Sequence, residues 1–422
     1  MENYTMILII LGIMVLLSAL SERIKIASPI LLMIAGIGIG FIPHMPQIEI
    51  EPEIIFLIFL PPLLYEAAFN IHFNEFKLHF RTISSLAFGL VFITAGCIAV
   101  TAHYMIPDMS WGLSFVLGAI LAATDAVAAM GITKNLGISN KAKVILEGES
   151  LINDASALVV YRFALSAVAG ATFVWWKATT TFLVLLLGGA VVGFVLGVIL
   201  AHTLRLIRNN SLAVLGLLLL SPFVAYLVAE EFHLSGVIAV VILGLVMSYF
   251  SRKKFPGPIK EQSKTIWDLI AFLLNGFIFI LLGLEVPAVI ETIDSSMLLP
   301  YTGFALVLTI IAIFVRAARV FFLRKSLELA HKQNTRHKSG RKIPETLLLS
   351  VQESLVISWS GMRGIVSLAI AFALPQTFDN GQPFPFRAEI IFITTLVILF
   401  TIVGQGALLP TIAKKRNTTN NT

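Results

Sequence analysis

Charge is what this chain has least of. Only 13% of its residues are Asp, Glu, Lys or Arg, against 57% apolar, and its mean hydropathy is +0.91. A soluble domain carries about 25% charged residues, so a chain this poor in charge cannot clothe an ordinary water-facing surface. Cysteine is almost absent. The single Cys97, inside an apolar run, excludes an intrachain disulfide framework and reads as packing. No basic domain exists either: the net charge of +6 is scattered over short segments, which removes nucleic acid as a partner. Enzyme signatures are missing as well. There is no His-Glu-x-x-His zinc motif, and Gly148-Glu149-Ser150 lacks the following glycine of a nucleophile elbow. No Lys or Arg precedes the first apolar run, while Glu22, Arg23 and Lys25 follow it, so a retained span is expected there rather than a cleaved signal.

What the chain does have is apolar runs that approach or exceed the ~20 residues a bilayer-crossing helix needs. Thirteen are expected, near 5–21, 28–43, 53–70, 82–104, 112–133, 143–169, 177–204, 212–229, 235–250, 265–286, 300–323, 347–374 and 388–413. The connecting segments alternate in basic content. Of 30 Lys and Arg, 24 fall in one set of segments and 2 in the other, which places the N-terminus outside and the C-terminus in the cytoplasm. The fold class expected is therefore an all-α polytopic membrane protein with 13 transmembrane helices. Thirteen divides as two inverted six-helix repeats (1–170 and 211–422, the latter ending in a short cytoplasmic tail) joined by a linker helix in 171–210. Under that plan span 5 corresponds to span 12. Span 12 holds Arg363 between Gly361 and Gly364, which suggests an interruption, and span 5 holds Thr124-Asp125 among small residues, which suit an interruption or close helix packing equally. Gly189, Gly193 and Gly197 in span 7 predict a close helix contact, and Pro61-Pro62 predicts a distortion in span 3.

The polar groups at depth are the functional signal. Glu147-Gly148-Glu149-Ser150-Leu151-Ile152-Asn153-Asp154 opens an otherwise apolar span, and each acidic group near a bilayer centre costs about 2.5–3.5 kcal/mol on insertion scales. At 100° per residue Ser150 and Asp154 share one line, with Glu149 and Asn153 on the next, giving one broad polar face. Glu66, Asp125, Asp268, Glu353 and Arg363 join the set. Arg363 requires a carboxylate, with Glu149 or Glu353 as candidates. Hard alkali cations take oxygen ligands, and Asp154, Ser150, Glu66 and a freed carbonyl near Thr124 offer them. A proton or a cation neutralises Asp154, never both, so competition plus alternating access yields exchange.

Several runs carry a resemblance: LPPLLYEAAF (60–69), ATDAVAAM (123–130), ILEGESLINDASALVVYRFAL (145–165), FHLSGVIAVVILGL (232–245), FILLGLEVP (279–287) and WSGMRGIVSLAIAFALP (359–375). Together they resemble the monovalent cation/proton antiporters, most closely the bacterial relatives of the animal sodium/proton exchangers. The resemblance implies a homodimer in a bacterial inner membrane, with crossed, interrupted helices 5 and 12 in a mobile core part. It implies Asp154 as the ion- and proton-binding carboxylate, and Ser150, the Thr124 carbonyl and Glu66 as further Na+ contacts. Thr124-Asp125 matches the polar break in helix 5, and Glu149 with Arg363 a structural ion pair beside Asn153. An Asn-Asp rather than Asp-Asp pair implies electroneutral exchange of Na+ or Li+ for one proton. No cofactor is implied; the partners are monovalent cations, protons, membrane lipid and a second copy. The rivals are the same machine working on K+, a cation channel, and a membrane enzyme.

Overall fold

The computed structural model describes residues 2–24, 28–42, 55–125, 129–130, 138–170, 175–255, 257–336, 347–378 and 381–413. The chain is all-helical, with no β-strand among the described residues. In order these are α1 (Glu2–Ile24), α2 (Ser28–Gly40), α3 (Leu60–Asn70), α4 (Phe73–Met105), α5 (Trp111–Ala122) and α6 (Asn140–Val168). Next come α7 (Trp175–Leu206), α8 (Ser211–Glu231), α9 (Gly236–Lys254), α10 (Gly257–Thr292) and α11 (Ser295–Arg336). The last are α12 (Val351–Trp359), α13 (Ile365–Phe372), α14 (Arg387–Phe400) and α15 (Gly406–Ala413). Among the described residues seven helical stretches are long and apolar enough to cross a membrane: α4, α6, α8, α10, most of α7 and α11, and the continuous run 387–413.

Side-chain caps set several helix starts. The oxygens of Ser110, Ser139, Asn210, Ser235 and Ser350 accept from the backbone three residues on, satisfying donors that hydrocarbon cannot. The distortion expected of Pro61 and Pro62 in span 3 is present. A π-helical turn at Ile55–Phe59 leads without a break into α3, and Pro61 and Pro62 in the first turn of α3 have no N–H to donate back to it, so the regular α ladder begins only beyond them. α11 also outruns the expected 300–323, continuing to Arg336 with an Arg324–Glu328 pair one turn apart at 2.9 Å.

Packing sorts the helices into two groups. One holds α1, α2, α3, α7, α8, α9 and α10; the other holds α4, α5, α6 and α11 to α15. Contacts within each group are dense, and those between them are sparse, running mainly through α10 against α13 and α14 and through α6 against α3 and α9. The glycines of α7 do serve close approach. A Cβ on Gly189 or Gly193 would run into the Ser235 or Ala239 carbonyl of α9, and one on Gly197 into Val246. Gly36 and Gly283 press α2 against α10 in the same way, backbone to backbone.

Candidate functional site

Two broken chains cross at the centre of the second group. α5 stops at Ala122, and Ala123 turns the backbone to φ −62°, ψ 138°, leading into Thr124 and Asp125. α12 stops at Trp359, and Ser360 to Gly364 separate it from α13. The two breaks bond to each other, with Asp125 N–H donating to the Met362 carbonyl at 2.7 Å and Ser367 Oγ to the Ala123 carbonyl at 3.3 Å. Helix ends leave carbonyls unpaired. Arg363 supplies donors for them: Nε to Leu121 O at 3.0 Å and Nη1 to Gly361 O at 2.9 Å, while its own N–H meets Thr401 Oγ1 at 3.1 Å. The expected second half of span 5 falls mostly on 126–128 and 131–137, outside the described residues.

α6 runs past this crossing and ties down Thr124 twice. Ser150 Oγ donates to the Thr124 carbonyl at 2.9 Å, and Asn153 Nδ2 donates to Thr124 Oγ1 at 2.8 Å. One residue on, Asp154 is 7% exposed, and its Oδ1 has no hydrogen-bond partner among the described residues. Asp154, Ser150, Thr124, Asp125 and Glu66 all line one cavity of about 550 Å³, so the expected binding set shares a single chamber. Glu66 comes from α3, in the other group, and its Oε1 accepts from Asn70 Nδ2 at 2.5 Å. Glu147 and Lys143 line the same cavity from the N-terminal part of α6, and Asp268 and Asn275 line it from α10.

One expected pairing is corrected. Glu149 is 1% exposed and bound in a two-pronged ion pair by Arg316 of α11, Nη1 to Oε1 at 2.5 Å and Nη2 to Oε2 at 2.7 Å. Arg316 also donates Nε to the Ile357 carbonyl at 2.9 Å, joining α6, α11 and α12 at one point. Arg363 therefore spends its guanidinium on carbonyls rather than on Glu149. Glu353 is not its partner either. It closes a capping box with Ser350 at the start of α12, accepts from Ser139 Oγ at 2.8 Å and faces Lys141 at 3.6 Å. Both alternatives fail because α12 carries Glu353 to its far end while α11 brings Arg316 in line with Glu149. Arg316 was visible in the sequence only as one of several arginines within spans. Each needed a partner, and residue order could not say which.

A family model described as "Sodium/hydrogen exchanger, transmembrane" matches residues 7–415. The chain belongs to the sodium/hydrogen exchanger family. As a member of it, the protein is a multi-pass membrane transporter of cations and protons, not an enzyme. It is 34% identical to an uncharacterized Na(+)/H(+) exchanger of Mycobacterium tuberculosis, over 94% of this chain and 71% of that protein. It is 32% identical to a "sodium, potassium, lithium and rubidium/H(+) antiporter" of Bacillus pumilus, over 99% of this chain and 62% of that protein. The solved sodium proton antiporter MjNhaP1 of Methanocaldococcus jannaschii shares the exchanger fold, with a TM-score of 0.73 at 21% identity over 98% of both chains.

Proposed function

We propose that this protein exchanges Na+ or Li+ for one proton, electroneutrally, by alternating access around Asp154. The observation that carries the reading is an acid side chain, almost fully buried, with an oxygen unpartnered among the described residues, on a cavity at the crossing of two broken helices. A carboxylate so placed needs a neutralising charge, and a proton and a bare alkali cation are the two small enough to serve in turn. Ser150, the Thr124 carbonyl and Glu66 are the oxygens that would complete the Na+ shell. Asn153 is committed to Thr124 Oγ1 and carries no proton to exchange, which supports a one-for-one stoichiometry.

The two packing groups support a rocking motion. Asp154 and Thr124 belong to one group and Glu66 to the other, so sliding one past the other would carry the site across the bilayer. Their membership also supports the six-one-six plan, because spans 1–3 and 8–10 pack together, as do spans 4–6 and 11–13. With the N-terminus outside, the side of the cavity lined by Lys143 and Glu147 lies toward the cytoplasm of a bacterial inner membrane. A second copy pairing through the first group would hold that group still. K+ stands as a second cargo, favoured by the range of ions in the name of the Bacillus pumilus relative.

Proteoliposomes loaded with a pH dye test the reading. Asp154→Asn abolishes Na+-driven alkalinisation while the protein keeps its yield and oligomeric state; undiminished exchange in that variant ends the proposal. Current across a planar bilayer from the wild-type protein would favour a channel instead.

A further inference from the structure

The stretch Ile270–Leu284 of α10 is apolar at every side chain except Asn275. An amide at that depth is costly unless it has work to do, and buried polar groups are almost always paired. Asn275 Oδ1 is shielded from solvent and has no hydrogen-bond partner among the described residues. The side chain nevertheless lines the cavity that also holds Asp154, Ser150 and Thr124. Its helix belongs to the group opposite Asp154, so the amide approaches the chamber from the wall across which the site would slide. Asp268, two turns earlier on α10, lines the same cavity.

We propose that Asn275 is a specificity-determining residue of the exchange, its side-chain oxygen receiving the alkali cation as it loses water on the way to Asp154. This rests on the exchange reading above and deepens it. The chemistry favours an amide over a carboxylate at this point. An amide oxygen is a hard ligand that replaces a water without adding a negative charge, so it lowers the cost of dehydration without trapping the ion. It also does not titrate, leaving the proton competition to Asp154 alone. Because it discriminates by how well one neutral oxygen substitutes for hydration water, it acts differently on Li+, Na+ and K+.

Asn275→Leu and Asn275→Asp, compared in proteoliposomes with each of the three cations, separate this from a structural role. Leu removes a polar atom that has no partner among the described residues and fills its space with carbon, so thermal stability is kept or raised. The cation KM rises about tenfold or more, since a contact to a charged group is lost, while the maximal rate moves less. The ratio of KM values between Na+ and K+ shifts. Asp restores an oxygen and adds a charge, lowering KM and making its dependence on pH steeper. Asn275→Leu with unchanged KM values and unchanged ion preference overturns the proposal while exchange by the wild type stands. A fall in stability with unchanged KM values would make Asn275 a packing residue and overturns it equally. If Asp154→Asn keeps full activity in the same assay, it is the exchange reading that falls.

Discussion

Arg316 and Glu149 offer the sharpest test of how this core is held together. Their side chains are 2% and 1% exposed and joined at 2.5 and 2.7 Å, so removing either leaves the other as an unpaired buried charge. Breaking such a pair from one side costs about 3–5 kcal/mol. Arg316→Met and Glu149→Leu are each expected to lose that much. The double variant strands no charge and forfeits chiefly the Arg316 bond to the Ile357 carbonyl, about 1 kcal/mol. The two losses are therefore strongly non-additive, with a coupling of several kcal/mol. The assay is denaturant or thermal unfolding of the detergent-solubilised protein, run as a double-mutant cycle, with a parallel cycle of Arg363→Met against Glu149→Leu. The Arg316 cycle should show the larger coupling, because Arg363 bonds carbonyls instead. Additivity of Arg316 and Glu149 within about 0.5 kcal/mol would refute the pairing.

Other expectations follow from the same geometry. Competition at one carboxylate means that each unit fall in pH raises the apparent KM for Na+ by up to about tenfold over the range where protons occupy the site, with the maximal rate at saturating Na+ little changed; a pH-independent KM in vesicle assays contradicts single-site competition. Arg162 and Glu230 form, among the described residues, an ion pair joining the two packing groups, at 2.9 Å, with Glu230 also accepting from Gly236 N–H. Arg162 lies eight residues beyond Asp154, about 12 Å along α6 and away from Lys143 and Glu147. Bridging Arg162→Cys to Glu230→Cys with a reducible bifunctional thiol reagent, in a Cys97→Ser background, should stop exchange until a reductant is added. Full activity while cross-linked would rule out sliding at that end. Finally, a methyl on Gly364 would run into the Asp125 side chain, so Gly364→Ala should lower turnover at least several-fold in a protein that still purifies as wild type; unaltered turnover would mean the crossing relaxes freely.

Much of this was legible in the residues because a bilayer makes polarity conspicuous. Long apolar runs and one acidic, hydroxyl-bearing face on α6 are one-dimensional patterns, and hydrocarbon penalises each polar group strongly enough for them to be read directly. The glycines flanking Arg363 suggested a break where α12 does stop, while the small residues around Thr124 suited close packing equally well and only the family resemblance pointed to the break at the end of α5.

Which buried groups meet is another matter. Arg316, Arg319 and Arg363 are equivalent in the sequence, since each is one guanidinium inside an apolar run. Folding sends the first to Glu149, the second to Ser85 and the third to the carbonyls left bare where α5 and α12 end. The sorting into two packed groups is also invisible along the chain, because each group draws its helices from both halves. Burial cost depends on a residue's own chemistry and can be read one position at a time. Partnership depends on distance, range and angle between segments far apart in sequence, and those exist only once the helices have packed.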